Sequence, residues 1–337
     1  MRTLDLQQAN QTPALAHAVA IVERVCQIAG KPSFLADLRA RLRRAGVLAA
    51  IENRNTPALF DWLMWILSFQ GIADGVAEAF IEKHGNVQWA DIKASLDDSA
   101  CPKLIGYWRF YDCQYQKGQR TCAEPRHFEA CPLPKHDLRN GHLNQLAYSL
   151  FLFLRDVADG DLIAWIDRQL EAANQADSIN LRASRDALVG PISGVFGISD
   201  KVAAMAFSML LLGHGRKGSL WFEVGSSFVV VDTLVHNFMH RTGILRRFEA
   251  DHPYGVRCYR PGGCSDLLGL IANQIDASLF NRSFPKAFPR FVQSTIWQYC
   301  AQKGFDVCNG NSINDSARCN NHHCRVRTVC DRVALES

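Results

Sequence analysis

Apolar residues recur at helical spacing along most of the chain. After Thr56, with Pro57 suited to a first helical turn, Leu59, Leu63, Ile66 and Leu67 fall at i, i+4, i+7 and i+8 and mark one buried face. Ile72, Val76 and Phe80 keep that spacing in a second helix, which Gly85 stops, and Leu162, Trp165, Ile166 and Leu170 form a further stripe. Another helix starts after Gly197-Ile198-Ser199, where Ser199 can cap and Asp200 suits the positive helix end, and runs through Lys201 to Leu212. The next begins at Asp232-Thr233 and passes Val235, Met239 and Arg241 before Gly243 ends it. The valines before it, Val229 to Val231, suit either a strand or an extended lead into the helix. A polar, cysteine-bearing stretch from Cys113 to Gly141 has no sustained period and reads as an insertion. There is no internal repeat and no linker rich in Pro, Gly or Ser, so domains must be read from where the helical patterning stops and the cysteines begin; that patterning is mostly helical and predicts an all-α protein.

A chain of 337 residues is long enough for two domains or one large one. With 48 % hydrophobic and 21 % charged residues it has an ordinary globular composition, and 12 prolines and 23 glycines are too few for a collagenous or low-complexity chain. Its clean apolar runs, Tyr148 to Leu154 and Val202 to Leu212, fall short of the roughly 18 to 20 residues of a membrane span. The opening residues do not follow the pattern of a secretory signal, which predicts a cytoplasmic protein, associated with the nucleoid in a bacterium. In a reducing compartment the 12 cysteines point to metal or cluster ligation rather than disulfides. A net charge of +4 decides nothing globally, so any nucleic-acid face must be a local patch.

Cys308, Cys319, Cys324 and Cys330 give the spacing C-x10-C-x4-C-x5-C near the end of the chain. Four such thiolates suit zinc or an iron–sulfur cluster, with His322 or His323 able to replace one ligand. Arg318, Arg325, Arg327 and Arg332 lie in the same loop, with no acidic residue between Arg318 and Cys330, a cation patch suited to phosphate contacts or a solvated basic surface. A second group, Cys101, Cys113, Cys122 and Cys131 with His127 and His136 nearby, is a candidate zinc site that would staple the insertion, although it lacks the short C-x2-C pairs of common zinc modules. Cys258 and Cys264 flank a turn and, with Cys26 and Cys300, are expected to remain free thiols. Arg39, Arg41, Arg43 and Arg44 form a basic run expected on the solvated face of an N-terminal helix.

Four blocks, in order, resemble the helix-hairpin-helix DNA glycosylase superfamily, in its endonuclease III and adenine glycosylase branch with a [4Fe-4S] cluster. Trp65-Ile66-Leu67-Ser68-Phe69-Gln70 is similar to the family's early LLSxQ helix and wedge loop. Gly197-Ile198-Ser199-Asp200-Lys201-Val202-Ala203 resembles the hairpin GVGxKTA, whose lysine is the family's Schiff-base nucleophile. Val231-Asp232-Thr233, with Arg241 nine positions after the aspartate, resembles the block that carries the catalytic aspartate, and the final cysteines resemble the cluster loop C-x6-C-x2-C-x5-C. The likeness runs from about residue 55 to the end, with insertions. This chain departs in Ser199 for the second hairpin glycine, in Leu234 where the family usually has His, in a longer cluster loop and in a stretched interval from Lys201 to Asp232.

The resemblance implies two helical lobes with a DNA-binding cleft between them. One is expected over residues 46–225 with the insertion at about 113–141, the other from 1–45 together with 226–337, bearing the cluster loop. It implies excision of a damaged or modified base from double-stranded DNA by base flipping, by a protein expected to be monomeric. Gln70 would fill the vacated space, and the backbone at Gly197 and Ser199 would grip a phosphate, as would Arg318, Arg325 and Arg327. Asp232 would stabilise the developing oxocarbenium charge, and Lys201 would attack the sugar C1′ and permit β-elimination. Cys308, Cys319, Cys324 and Cys330 would hold the cluster, with a structural role. The alternatives are a monofunctional glycosylase without lyase activity and a non-catalytic iron–sulfur protein that binds or senses DNA.

Overall fold

The computed structural model describes residues 12–68, 74–97, 101, 113, 115–116, 119, 121–122, 131, 133, 142–174 and 179–335, and these are mostly helical. The chain divides into two compact units, residues 39–214 and residues 1–38 with 215–337. Helix α2 (Phe34–Arg44) crosses the boundary; its Arg41, Arg43 and Arg44 are exposed, whereas Arg39 is half-buried and its Nε donates to the Leu212 carbonyl at 3.3 Å.

Unit 39–214 contains α3 (Val47–Glu52), α4 (Thr56–Ser68), α5 (Asp74–His84), α6 (Trp89–Asp97), α7 (His142–Asp156), α8 (Leu162–Ala173), α9 (Leu181–Ile192) and α10 (Asp200–His214). A short antiparallel ladder, β1 (Tyr115–Gln116) with β2 (Thr121–Cys122), pairs Tyr115 with Cys122 inside the insertion. Helix α4 is the hub and packs on α3, α6, α7, α8 and α10. It can do so because it is apolar nearly all round: Leu59, Phe60, Leu63, Met64, Ile66 and Leu67 are all buried, as a helix inside a bundle requires. The ring of Trp89 meets Phe60 edge-on at 5.5 Å and lies 4.1 Å from Phe151, locking α6 and α7 to that hub. The buried Thr56 hydroxyl accepts the Leu162 N–H at 3.1 Å and joins the first turns of α4 and α8. Leu162, Trp165, Ile166 and Leu170 are buried as their spacing predicts. Val76 is not: it is 61 % exposed on α5, where helical spacing alone does not say which side meets a neighbour, and Ile72 lies outside the described residues.

The other unit contains α1 (Pro13–Ala29), α11 (Leu220–Ser227), α12 (Thr233–Arg241), α13 (Ile244–Arg247), α14 (Cys264–Ala272) and α15 (Pro289–Cys300), with 3-10 turns at Val256–Tyr259 and Ala277–Leu279. Thr12 caps α1 and Pro13 opens it, so the missing proline N–H falls where no helical partner exists. Helix α15 is the centre of this unit and packs on α1, α11, α12 and α14. Phe284, Phe288 and Phe291, with Phe34 of α2, form an aromatic cluster with ring centroids 5.0 to 6.1 Å apart. Beyond α15 the chain runs in turns to residue 335 and is tied back to the end of α12, where Val333 N–H donates to the Arg241 carbonyl at 2.9 Å. No described helix is long and apolar enough to cross a membrane.

Candidate metal centres

Val229 to Val231 form a buried, extended lead rather than a strand, and they deliver Asp232 to the start of α12. Asp232 is half-buried, has extended backbone angles, and its Oδ1 accepts the Val235 N–H at 2.9 Å, the geometry of an N-cap. The residue before it is clamped on both sides: the Tyr259 hydroxyl donates to the Val231 carbonyl at 2.9 Å and accepts its N–H at 2.8 Å. Burial, opposed in part by the Val231 bond, holds that phenol far above its ordinary value. Tyr254 is 42 % exposed, and burial raises its phenol, with the Asp232 charge adding to the shift.

One turn into α12, on the face of Asp232, His236 meets three residues from the segment that follows: His252, Cys258 and Cys264. All four are buried, and their ligand-type atoms lie within 4.8 Å of one another, so the group could hold a metal ion. His236 Nδ1 is 3.4 Å from Cys264 Sγ and 3.5 Å from Cys258 Sγ, and His252 Nε2 is 3.5 Å from Cys264 Sγ. The hydrogen bond between the two thiols, helped by both histidines, pulls Cys258 down to about 4, while the same bond pushes Cys264 up. Cys258 and Cys264, expected as free thiols, form no disulfide and lie together in this buried group. The turn between them brings them together: at Gly263 a Cβ would stand 2.2 Å from the Arg257 carbonyl oxygen, so only glycine fits. The sequence signal was present as H-x15-H-x5-C-x5-C, but it mixes ligand types at intervals longer than those of common zinc modules.

Cys308, Cys319, Cys324 and Cys330 line one cavity at the far end of α12, together with Phe238, Arg241 and Thr242. Burial pushes Cys330 up to about 12 and raises Cys324, and the neighbouring cysteines of the set add to both shifts. Cys308 is held below its ordinary value by a hydrogen bond from Cys300 and by the charge of Arg241; burial and that bond raise Cys300, which is thus no isolated thiol. Several sulfurs are already solvated by protein: Cys330 accepts the Arg332 N–H at 3.3 Å, and Tyr299 lies 3.3 Å from Cys324. Three arginines lining this cavity, Arg241, Arg327 and Arg332, each carry a buried guanidinium nitrogen with no hydrogen-bond partner. Four thiols and three arginines, each with one unpaired buried nitrogen, thus line one space.

An open groove adjoins the cavity, lined by Arg246, Arg247, Arg318, Arg327 and Arg332. Arg247 is paired with Asp331 through two bonds of 2.7 and 2.9 Å, which hold the Asp331 carboxyl below its ordinary value. Arg325 is exposed in the same loop. The contribution of α13, Arg246 and Arg247, is distant in sequence from the loop arginines and is visible only in the folded unit.

In unit 39–214, α9 and α10 are joined by residues 193–199, with Gly197 at φ 76°, a left-handed conformation that glycine adopts without strain. Ser199 is exposed, its carbonyl accepts the N–H groups of Val202 and Ala203, and Lys201 is half-buried in the first turn of α10. Lys201 and Asp232 belong to different units. Gln70, His127 and His136 lie outside the described residues. In the insertion, burial pushes Cys131 up to about 11 and raises Cys113, and within the Cys101, Cys113, Cys122 and Cys131 set the thiols of Cys101 and Cys122 add to both shifts. Cys113 and Cys131 each accept a backbone N–H from two residues on, Tyr115 and Leu133.

No protein-family model matches the chain, and neither a curated protein nor a solved structure matches it. Fold and site define a mostly helical protein with a buried His2Cys2 group able to hold a metal.

Proposed function

We propose that this protein is a DNA glycosylase of the helix-hairpin-helix kind with abasic-site lyase activity, acting on a damaged or modified base in double-stranded DNA. The observation that carries the reading is the convergence on one helix of two separate blocks of resemblance. Asp232 caps the start of α12, and the four C-terminal cysteines surround a cavity at its end. A [4Fe-4S] cluster on Cys308, Cys319, Cys324 and Cys330 fits the sulfurs and the unpaired donors of Arg241, Arg327 and Arg332. Such a cluster would tie the C-terminal loop to α12 and leave the hydrolytic chemistry to the protein. The adjoining arginine groove supplies cations for backbone phosphates.

In this reading the base leaves C1′ with the glycosidic electron pair and takes up a proton, while the Asp232 carboxylate stabilises the positive sugar. The unprotonated amine of Lys201 bonds to C1′, the ring opens to an imine, and loss of a C2′ proton expels the 3′ phosphate. The test is borohydride trapping on a duplex with one abasic site, which requires no knowledge of the base. A covalent adduct is expected with the native chain and none with Lys201→Ala. An adduct that survives Lys201→Ala removes that residue from its role. No adduct with cluster-loaded protein that binds the duplex leaves base excision without lyase activity, or DNA binding alone.

A further inference from the structure

We infer that His236, His252, Cys258 and Cys264 form a closed, structural zinc site, separate from the C-terminal cysteine set. Zinc in structural sites takes four protein ligands in a tetrahedron, at roughly 2.0–2.1 Å for nitrogen and 2.3 Å for sulfur, which places neighbouring ligand atoms roughly 3.3 to 3.8 Å apart. The three nitrogen-to-sulfur distances of 3.4, 3.5 and 3.5 Å fall in that range, and they link all four residues. Two sulfurs and two nitrogens, linked at these spacings and all within 4.8 Å of one another, suit a single tetrahedral ion, and zinc is the common ion with such ligands. Every ligand is buried, so no position is open to a substrate or water, the mark of a structural rather than a catalytic site.

The supporting shell points the same way. His252 Nδ1 lies 2.6 Å from the Ala250 carbonyl, which can only accept, so the proton sits on Nδ1 and the Nε2 lone pair faces the sulfurs. Metal-ligating histidines are oriented in this manner. The ligands come from three places: His236 from α12, His252 and Cys258 from the turns and 3-10 turn over residues 252–263, and Cys264 from the first position of α14. A metal there fastens that stretch to α12, and with it Tyr259, whose hydroxyl clamps Val231 beside Asp232. The inference does not depend on base excision, since a zinc site can be present in a protein with any activity.

The test is metal analysis and zinc X-ray absorption on the full-length chain purified without added metal. The expected result is a zinc equivalent that is lost in Cys258→Ala/Cys264→Ala while the iron content is unchanged. The absorption lost with it should report two sulfurs at about 2.3 Å and two nitrogens at about 2.0 Å. Because that variant can fail to fold, His252→Cys is the companion: it should keep the zinc and convert the shell to three sulfurs and one nitrogen. Three results would overturn the site: zinc with sulfur ligands alone, a zinc shell unchanged by His252→Cys, or a metal-free native chain lighter by two hydrogens through a Cys258–Cys264 disulfide.

Discussion

Asp232 has a structural role and a proposed chemical one, and a single substitution separates them. As an N-cap it accepts the Val235 N–H, and asparagine caps about as well as aspartate. Asparagine carries no charge with which to stabilise a positive sugar. Asp232→Asn should therefore fold with nearly native stability and lose base release by about 10²–10⁴-fold in single-turnover assays. Asp232→Ala should add a loss of about 1 kcal/mol in thermal or chemical unfolding from the missing cap. Base release by Asp232→Asn at the native rate would remove the carboxylate from the mechanism. Both helix starts singled out in the sequence are helix starts in the structure, because a cap is chosen by the few residues around it. His236 carried no such local mark, since its partners lie 16, 22 and 28 positions on in the chain, and a ligand is recognised only by its neighbours in space.

At the scale of elements, the turn between Cys258 and Cys264 determines whether the two thiols meet. Gly263 approaches the carbonyls of Arg257 and Arg260 so closely that any Cβ forces the turn open. Gly263→Ala should destabilise the unit by about 1–3 kcal/mol through this overpacking and lower its zinc content, as read by melting and metal analysis. If Gly263→Ala melts like the native chain and keeps its metal, the turn does not set the quartet. Helices α4 and α8 were legible at this level for a physical reason. Helix α4 and helix α8 bury wide apolar faces, and a wide face leaves a strong periodic trace. The trace on α5 was misleading at Val76 because periodicity records which residues share a side, not whether that side is covered.

For the whole molecule, the small net charge conceals a local concentration. Arg246 and Arg247 from α13 join Arg318, Arg327 and Arg332 from the C-terminal loop along one groove, with Asp331 the acid among them. If this groove holds backbone phosphates, DNA affinity should fall steeply with salt, and each phosphate contact removed should flatten the slope of log K against log salt by about 0.9. Arg318→Ala and Arg327→Ala, measured by fluorescence anisotropy over a range of salt, are expected to show that flattening on any duplex sequence. Slopes equal to the native one would place the DNA elsewhere. The division of the chain at 38/39 and 214/215 places Lys201 and Asp232 in different packed units.

The sequence by itself determined the helical character, the starts of α10 and α12, and the gathering of four cysteines in the last part of the chain. Each of these depends on residues near one another in the chain: a helical period, a cap, a cluster of like ligands. Only the tertiary structure decided that the C-terminal cysteines share one cavity with Arg241, and that His236, His252, Cys258 and Cys264 meet. It also brought the α13 arginines to the loop arginines in one groove. Those groupings arise where α12 packs on α15, the turns after α12 fold back on it, and the final loop docks on its end. Burial and distance in space, which no spacing along a chain specifies, choose the partners there.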